Sequence, residues 1–174
     1  MTEIVIDPSR SALVAIDLQL RIVGRHAEPH TGADVVRRSA QLAEAFRRTG
    51  ALVVVVKREW PQDPQPAGSE LVDEIAPRDD DLLVTRRGDD AFLDTDLSEL
   101  LPGRGIETLV ITGIDTAAVE TTARTAREAG HRLFLPHDAT AGENGDAHRL
   151  AVQGTLPELG TVCTTDDVLA ALTP

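Results

Sequence analysis

Leu52-Val53-Val54-Val55-Val56 is an unbroken apolar run of strand length, almost all of it β-branched. A strand with one face in water alternates apolar and polar residues, whereas a strand covered on both faces does not. The run therefore reads as an interior strand of a parallel sheet. Upstream, Val35, Val36, Ala40, Leu42, Ala43 and Phe46 form the apolar stripe of a helix over residues 34 to 49, which Gly50 stops. Before that helix, Ala12-Leu13-Val14-Ala15-Ile16 is another buried strand, ending at Asp17.

Downstream, residues 61 to 81 are rich in Pro, Asp and Gln and read as a surface excursion. The alternation then resumes. Leu82 to Thr85 is a strand, 95 to 102 a short helix, Thr108 to Thr112 a strand, and 116 to 129 a helix stopped by Gly130. Leu133 to Pro136 is the fifth strand, 145 to 155 a helix, Thr161 to Cys163 the sixth strand and 166 to 172 the last helix. Strand and helix alternating without repeat or linker imply one α/β domain over residues 1–174, with right-handed crossovers. Ligands of such folds sit outside the carboxyl ends of the strands. The positions to inspect are therefore Asp17 to Gln19, Lys57 to Trp60, Arg86 to Phe92 and Gly113 to Val119.

Composition narrows the partners. The 174 residues are 41% hydrophobic but only 2% aromatic, so the core is aliphatic, as parallel strands under helices require. A net charge of -12 disfavours nucleic acid and anionic membranes. No run of about 18 apolar residues exists to span a bilayer. The opening Met1 to Pro8 lacks a basic leader and an apolar stretch, so a cytoplasmic location is expected. Cys163 is the sole cysteine, which excludes an intramolecular disulfide. His26, His30, His131, His137 and His148 show no metal-ligand spacing and are expected at the surface or in loops. His26 and His30 are the exceptions to watch, because the segment after the first strand can fold over the strand ends. No metal and no cofactor are expected.

At the strand ends, Asp17 lies beside apolar walls, where desolvation raises a carboxyl pKa and suits it to proton transfer. The alternative is an Asp that caps a turn. Arg86 offers a permanently charged fork for a carboxylate, although Arg86 and its neighbour Arg87 also read as solvated arginines. In Gly113-Ile114-Asp115-Thr116-Ala117-Ala118-Val119 the backbone N–H groups at a helix start can hold negative charge, while Thr116 can serve simply as its N-cap.

These residues carry a resemblance. Ala12 to Gln19, ending Asp17-Leu18-Gln19, resembles the opening strand of the isochorismatase-like hydrolases. Val84 to Phe92, followed by Thr95-Asp96-Leu97, is similar to that family's lysine segment. Gly113 to Thr116 with Thr121-Thr122-Ala123-Arg124 is similar to its cysteine segment, and Thr161 to Leu172 to its tail. The four motifs occur in order over nearly the whole chain.

The resemblance implies a Rossmann-like three-layer α/β/α fold with a six-stranded parallel sheet. It also implies a homodimer or larger homo-oligomer and a cis peptide between Ile114 and Asp115. Of the family's Asp, Lys and Cys, Asp17 matches the first and Arg86 stands at the second. The Cys position falls on Ala118 when counted from Thr122 and on Val119 when counted from Gly113. Cys163 lies in the tail and reads as a small buried hydrophobe. Without the thiol, covalent catalysis is lost. Isochorismatases of phenazine pathways resemble this chain in lacking the cysteine, and they hydrolyse a vinyl ether with the Asp as acid. The expected function is therefore thiol-free hydrolysis of a small, anionic, carboxylated metabolite. Asp17 would be the acid, Arg86 the anion anchor, and Gln19, Trp60, Phe92, Gly113, Asp115 and Thr116 the pocket. The alternative is a catalytically silent binding or assembly protein.

Overall fold

A computed structural model describes residues 4–172 of the chain, so the reading of the first three residues as free of a leader lies outside the described residues. Six strands form the main path of the sheet: β1 (Ser11–Ile16), β2 (Leu52–Arg58), β3 (Leu82–Arg86), β4 (Thr108–Ile114), β5 (Arg132–Pro136) and β7 (Thr161–Cys163). Their order is β3-β2-β1-β4-β5-β7. A two-residue strand that sequence reading missed, β6 (Thr140–Ala141), pairs with the end of β4. Every pairing is parallel. The fold is thus the three-layer α/β arrangement expected.

The all-apolar strands feed both layers with period two. Leu13, Ala15, Val53 and Val55 pack beneath α2 (Gly32–Arg48) and α7 (Thr165–Ala171), among Val35, Leu42, Phe46 and Val168, with Ile22 and Val23 of the short α1 (Leu20–Val23) against the same cluster. Ala12, Val14, Ile16, Val54 and Val56 pack on the opposite face with Leu97 and Leu101 of α3 (Leu97–Gly103) and Val119, Ala123 and Ala126 of α4 (Thr116–Glu128). Fully burying one such Val or Leu contributes about 1.5–3 kcal/mol relative to leaving it exposed.

Several boundaries differ from the sequence reading. The first long helix starts at Gly32, because Thr31 and Asp34 close a capping box. Thr116 is not an N-cap: Asp115 accepts the Ala118 N–H and takes that role. The helix expected over 145 to 155 is α5 (Gly145–Leu150), then a π-helical turn at Ala151–Thr155, then α6 (Leu156–Leu159). His131 and His148 are buried instead of superficial. His131 packs near Phe92, and His148 Nδ1 lies 2.8 Å from Thr116 Oγ1.

The chain runs outward from β1 to β3, then returns to the other side of β1 with β4. The strand order therefore reverses between β1 and β4, which places Ile16 beside Gly113. Only glycine fits there: a Cβ on Gly113 (φ 136°) would lie 2.1 Å from the Ile16 carbonyl oxygen.

Candidate active site

Asp17 leaves β1 at this switch point in a left-handed conformation, φ 57°, which Asp tolerates better than most residues. Its N–H still donates to the Val56 carbonyl, and the Gln19 N–H donates back to the Asp17 carbonyl. The motif Asp17-Leu18-Gln19 is thereby folded into a tight corner at the head of the sheet.

Each polar residue of that corner fixes one arginine. Arg86 Nε donates to Asp17 Oδ1 at 3.0 Å, and Arg86 Nη2 donates to Oδ2. Both side chains are only 2% exposed, so the pair is a buried, two-pronged ion pair. Arg86 Nη1 is also used, by the Gly88 carbonyl. Gln19 acts on Arg58: its amide accepts the Arg58 N–H (2.7 Å) and donates to the Arg58 carbonyl (2.9 Å) and the Ser69 carbonyl (2.5 Å). Arg58 and Arg86 are direct register partners on β2 and β3, so their side chains leave the same face of the sheet.

Above them lies a cavity of about 300 Å³. Its walls are Asp17, Ile22, Arg25, His26, Arg58, Arg86, Asp89, Ile114, Asp115, Ala117, Ala118, Thr121 and Glu143. A larger groove of about 990 Å³ runs along α2, but it shares no lining residue with this cavity and holds neither member of the buried ion pair. Ile114 and Asp115 are joined by a cis peptide, as the resemblance implied.

Burial pushes the Asp17 carboxyl above the ordinary carboxylate range, and its bonds to Arg86 oppose that rise without cancelling it. Ala118 presents a methyl group to the cavity, whereas Val119 is fully buried in the core. Cys163 is buried at the end of β7 with its thiol pushed up to about 12 by desolvation, and it does not line the cavity. Among the described residues, no group of three or more His, Cys, Asp or Glu side chains could hold a metal ion.

Of the expected pocket residues, Asp17, Arg86, Asp115 and Ala118 meet at the cavity. The others do not line it. Gln19 is a fully buried brace. Gly113 permits the close approach of β4 to β1. Thr116 is turned to His148, and Phe92 sits in the core. Trp60 lies outside the lining, with the guanidinium carbons of Arg21 and Arg58 at 5.1 and 5.8 Å from its ring centroid. Sequence reading flagged His26, which does line the cavity; His30 stacks edge-on against His148. It gave no site role to Arg25, Thr121 or Glu143, nor to Arg58 and Asp89, although the last two fall within the stretches Lys57 to Trp60 and Arg86 to Phe92 marked for inspection. Arg58 was within reach of the reading, since it ends the second strand.

Residues 11–167 match the isochorismatase domain model. The chain belongs to the isochorismatase family. It is 34% identical to the family protein YecD of Escherichia coli O157:H7, over 93% of this chain and 96% of that one. A streptothricin hydrolase of Streptomyces noursei is 38% identical over 75% of this chain and 49% of its own length. An isochorismatase family protein from Burkholderia thailandensis superposes with a TM-score of 0.88 at 35% identity, covering 97% of both chains. The match makes this a chain of the isochorismatase-family hydrolases. No described helix is long and apolar enough to cross a membrane.

Proposed function

We propose that this family member is a hydrolase that works without a thiol, cleaving a vinyl ether of a small carboxylated metabolite with Asp17 as the acid. The observation that carries the reading is a carboxyl with a raised pKa in the wall of a cavity where the neighbouring helix start offers a methyl group, Ala118, and no nucleophile. In this reading Ala118, not Val119, is taken as the family's cysteine position, a choice supported by its place in the cavity wall while Val119 is buried in the core.

The step balances with water alone. Protonated Asp17 gives its proton to the terminal carbon of the enol ether, which leaves an oxocarbenium ion. Water adds to that ion and returns a proton to Asp17. The hemiketal then collapses, breaking the carbon–oxygen bond to release an alcohol and pyruvate. A carboxyl raised by burial populates its acid form at higher pH than an ordinary Asp, which is what this step asks for.

One observation favours the binding-only alternative: both Asp17 oxygens accept bonds from Arg86, an arrangement that works against the proton Asp17 would have to carry. The deciding experiment measures pyruvate release from isochorismate and from its 2-amino analogue by the wild type and Asp17→Asn, with folding checked by circular dichroism. Release by the wild type alone supports the acid-catalysed hydrolase. Equal release by both variants removes Asp17 from the chemistry, and no release from either substrate favours binding without turnover.

A further inference from the structure

We infer that Arg58, not Arg86, is the specificity-determining residue that takes the carboxylate of the ligand bound in this cavity. The inference rests on the small-carboxylate reading of the site and names the anchor within it.

The assignment follows from how each charge around the cavity is used. Arg86 spends Nε, Nη1 and Nη2 on Asp17 and Gly88, so its fork is closed. Arg25 faces Glu143 at 3.9 Å. Asp115 accepts the Ala118 N–H. Arg58 is different. It lines the cavity, its Nε is buried without a hydrogen-bond partner, and it forms no ion pair with any described residue. A buried cationic donor without an acceptor is costly, and an incoming carboxylate removes that cost.

Arg58 is also held ready. Gln19 clamps both polar atoms of its backbone unit, and the Trp60 ring lies beside its guanidinium. Backbone and head are both restrained before a ligand arrives, so less freedom is lost on binding. Because Arg58 and Arg86 share a register on adjacent strands, a carboxylate on Arg58 would lie beside the Asp17–Arg86 pair.

Trp60 is the only tryptophan, so its emission reports what happens at Arg58. The test titrates the full chain with benzoate and with uncharged benzamide, reading Trp60 fluorescence and, independently, calorimetry. The proteins are the wild type, Arg58→Met and Arg58→Lys. The expected result is saturable benzoate binding, benzamide weaker by about tenfold or more, and a loss of about tenfold or more in Arg58→Met. Arg58→Lys should retain part of the affinity as a single point charge. Equal benzoate affinity in wild type and Arg58→Met overturns the inference. So does equal binding of benzamide, or no benzoate binding by the wild type.

Turnover separates this claim from the proposed function. Benzoate binding that depends on Arg58, without pyruvate release, leaves the anion site standing and removes the hydrolase. Asp17-dependent turnover with KM and benzoate affinity unchanged in Arg58→Met removes the anion site and leaves the hydrolase.

Discussion

Arg58 and Arg86 occupy the same level of two neighbouring strands, yet they have opposite fates. Arg86 is sealed in a buried ion pair with Asp17; Arg58 is half-buried, unpaired and open to the cavity. The residue type and the sheet position are shared, so neither explains the contrast. It comes from the corner Asp17-Leu18-Gln19. Its carboxylate captures one guanidinium, whereas its amide captures only the backbone of the other. One arginine is thereby committed to structure, and the other is left with donors to offer a ligand.

The largest expected effect lies on the sealed side. Asp17→Ala strands a buried guanidinium that cannot lose its charge, at a cost of about 3–5 kcal/mol in urea unfolding at pH 7. Arg86→Met should cost clearly less, because the abandoned Asp17 can take up a proton and become neutral. Asp17→Leu combined with Arg86→Met should recover much of the loss of Asp17→Ala. Equal costs for the two single variants would break the distinction. On the open side, Arg58→Met should leave stability unchanged or raise it by up to about 1–3 kcal/mol, because it removes a buried donor that has no acceptor.

Two acids sharpen the contrast through pH. Burial raises the Asp17 pKa, so its favourable contribution is complete below the unfolded carboxyl value of about 3.9 and is lost as pH rises through the folded value. Asp34 behaves oppositely. Its bonds from Arg37 and from the Thr31 side chain and N–H lower its pKa to about 2. Its contribution is therefore present above about pH 4 and lost as pH falls toward 2. Asp34→Asn should flatten the wild-type loss of stability over that acid window. An unchanged slope would remove the capping box from the account.

Smaller effects test the helix start. A thiol placed by Ala118→Cys should react with iodoacetamide faster than one placed by Val119→Cys, each in a Cys163→Ala background, because only position 118 meets the cavity. The reverse order would move the cysteine position to 119. Native Cys163, with its thiol pushed up to about 12, should stay almost unlabelled at pH 8 while the protein is folded.

The contrast between the two arginines also marks how far the sequence could be read. Uniform apolar runs such as Leu52 to Val56 reveal interior strands because both faces are covered, and the sheet follows from them. Asp17, Arg86, Asp115 and Ala118 were legible because strand ends and motif spacing locate them. Gln19, Phe92 and Thr116 belong to the same motifs, but packing turns them toward backbone, core and His148. Which side chain faces a cavity depends on contacts some forty to seventy residues apart in the chain, such as Gln19 with Arg58 and Asp17 with Arg86. Pattern within a window carries no trace of such pairings. The buried His131 and His148 were misread for the same reason.

The most direct test of Asp17 as an acid is the pH dependence of kcat/KM for pyruvate release from isochorismate, by the wild type and Arg86→Met. The rate should rise as pH falls and Asp17 gains its proton. Without the opposing cation Asp17 holds that proton to higher pH, so the rise should begin at higher pH in Arg86→Met. A profile that is flat in pH, or one that Arg86→Met leaves in place, would contradict the account.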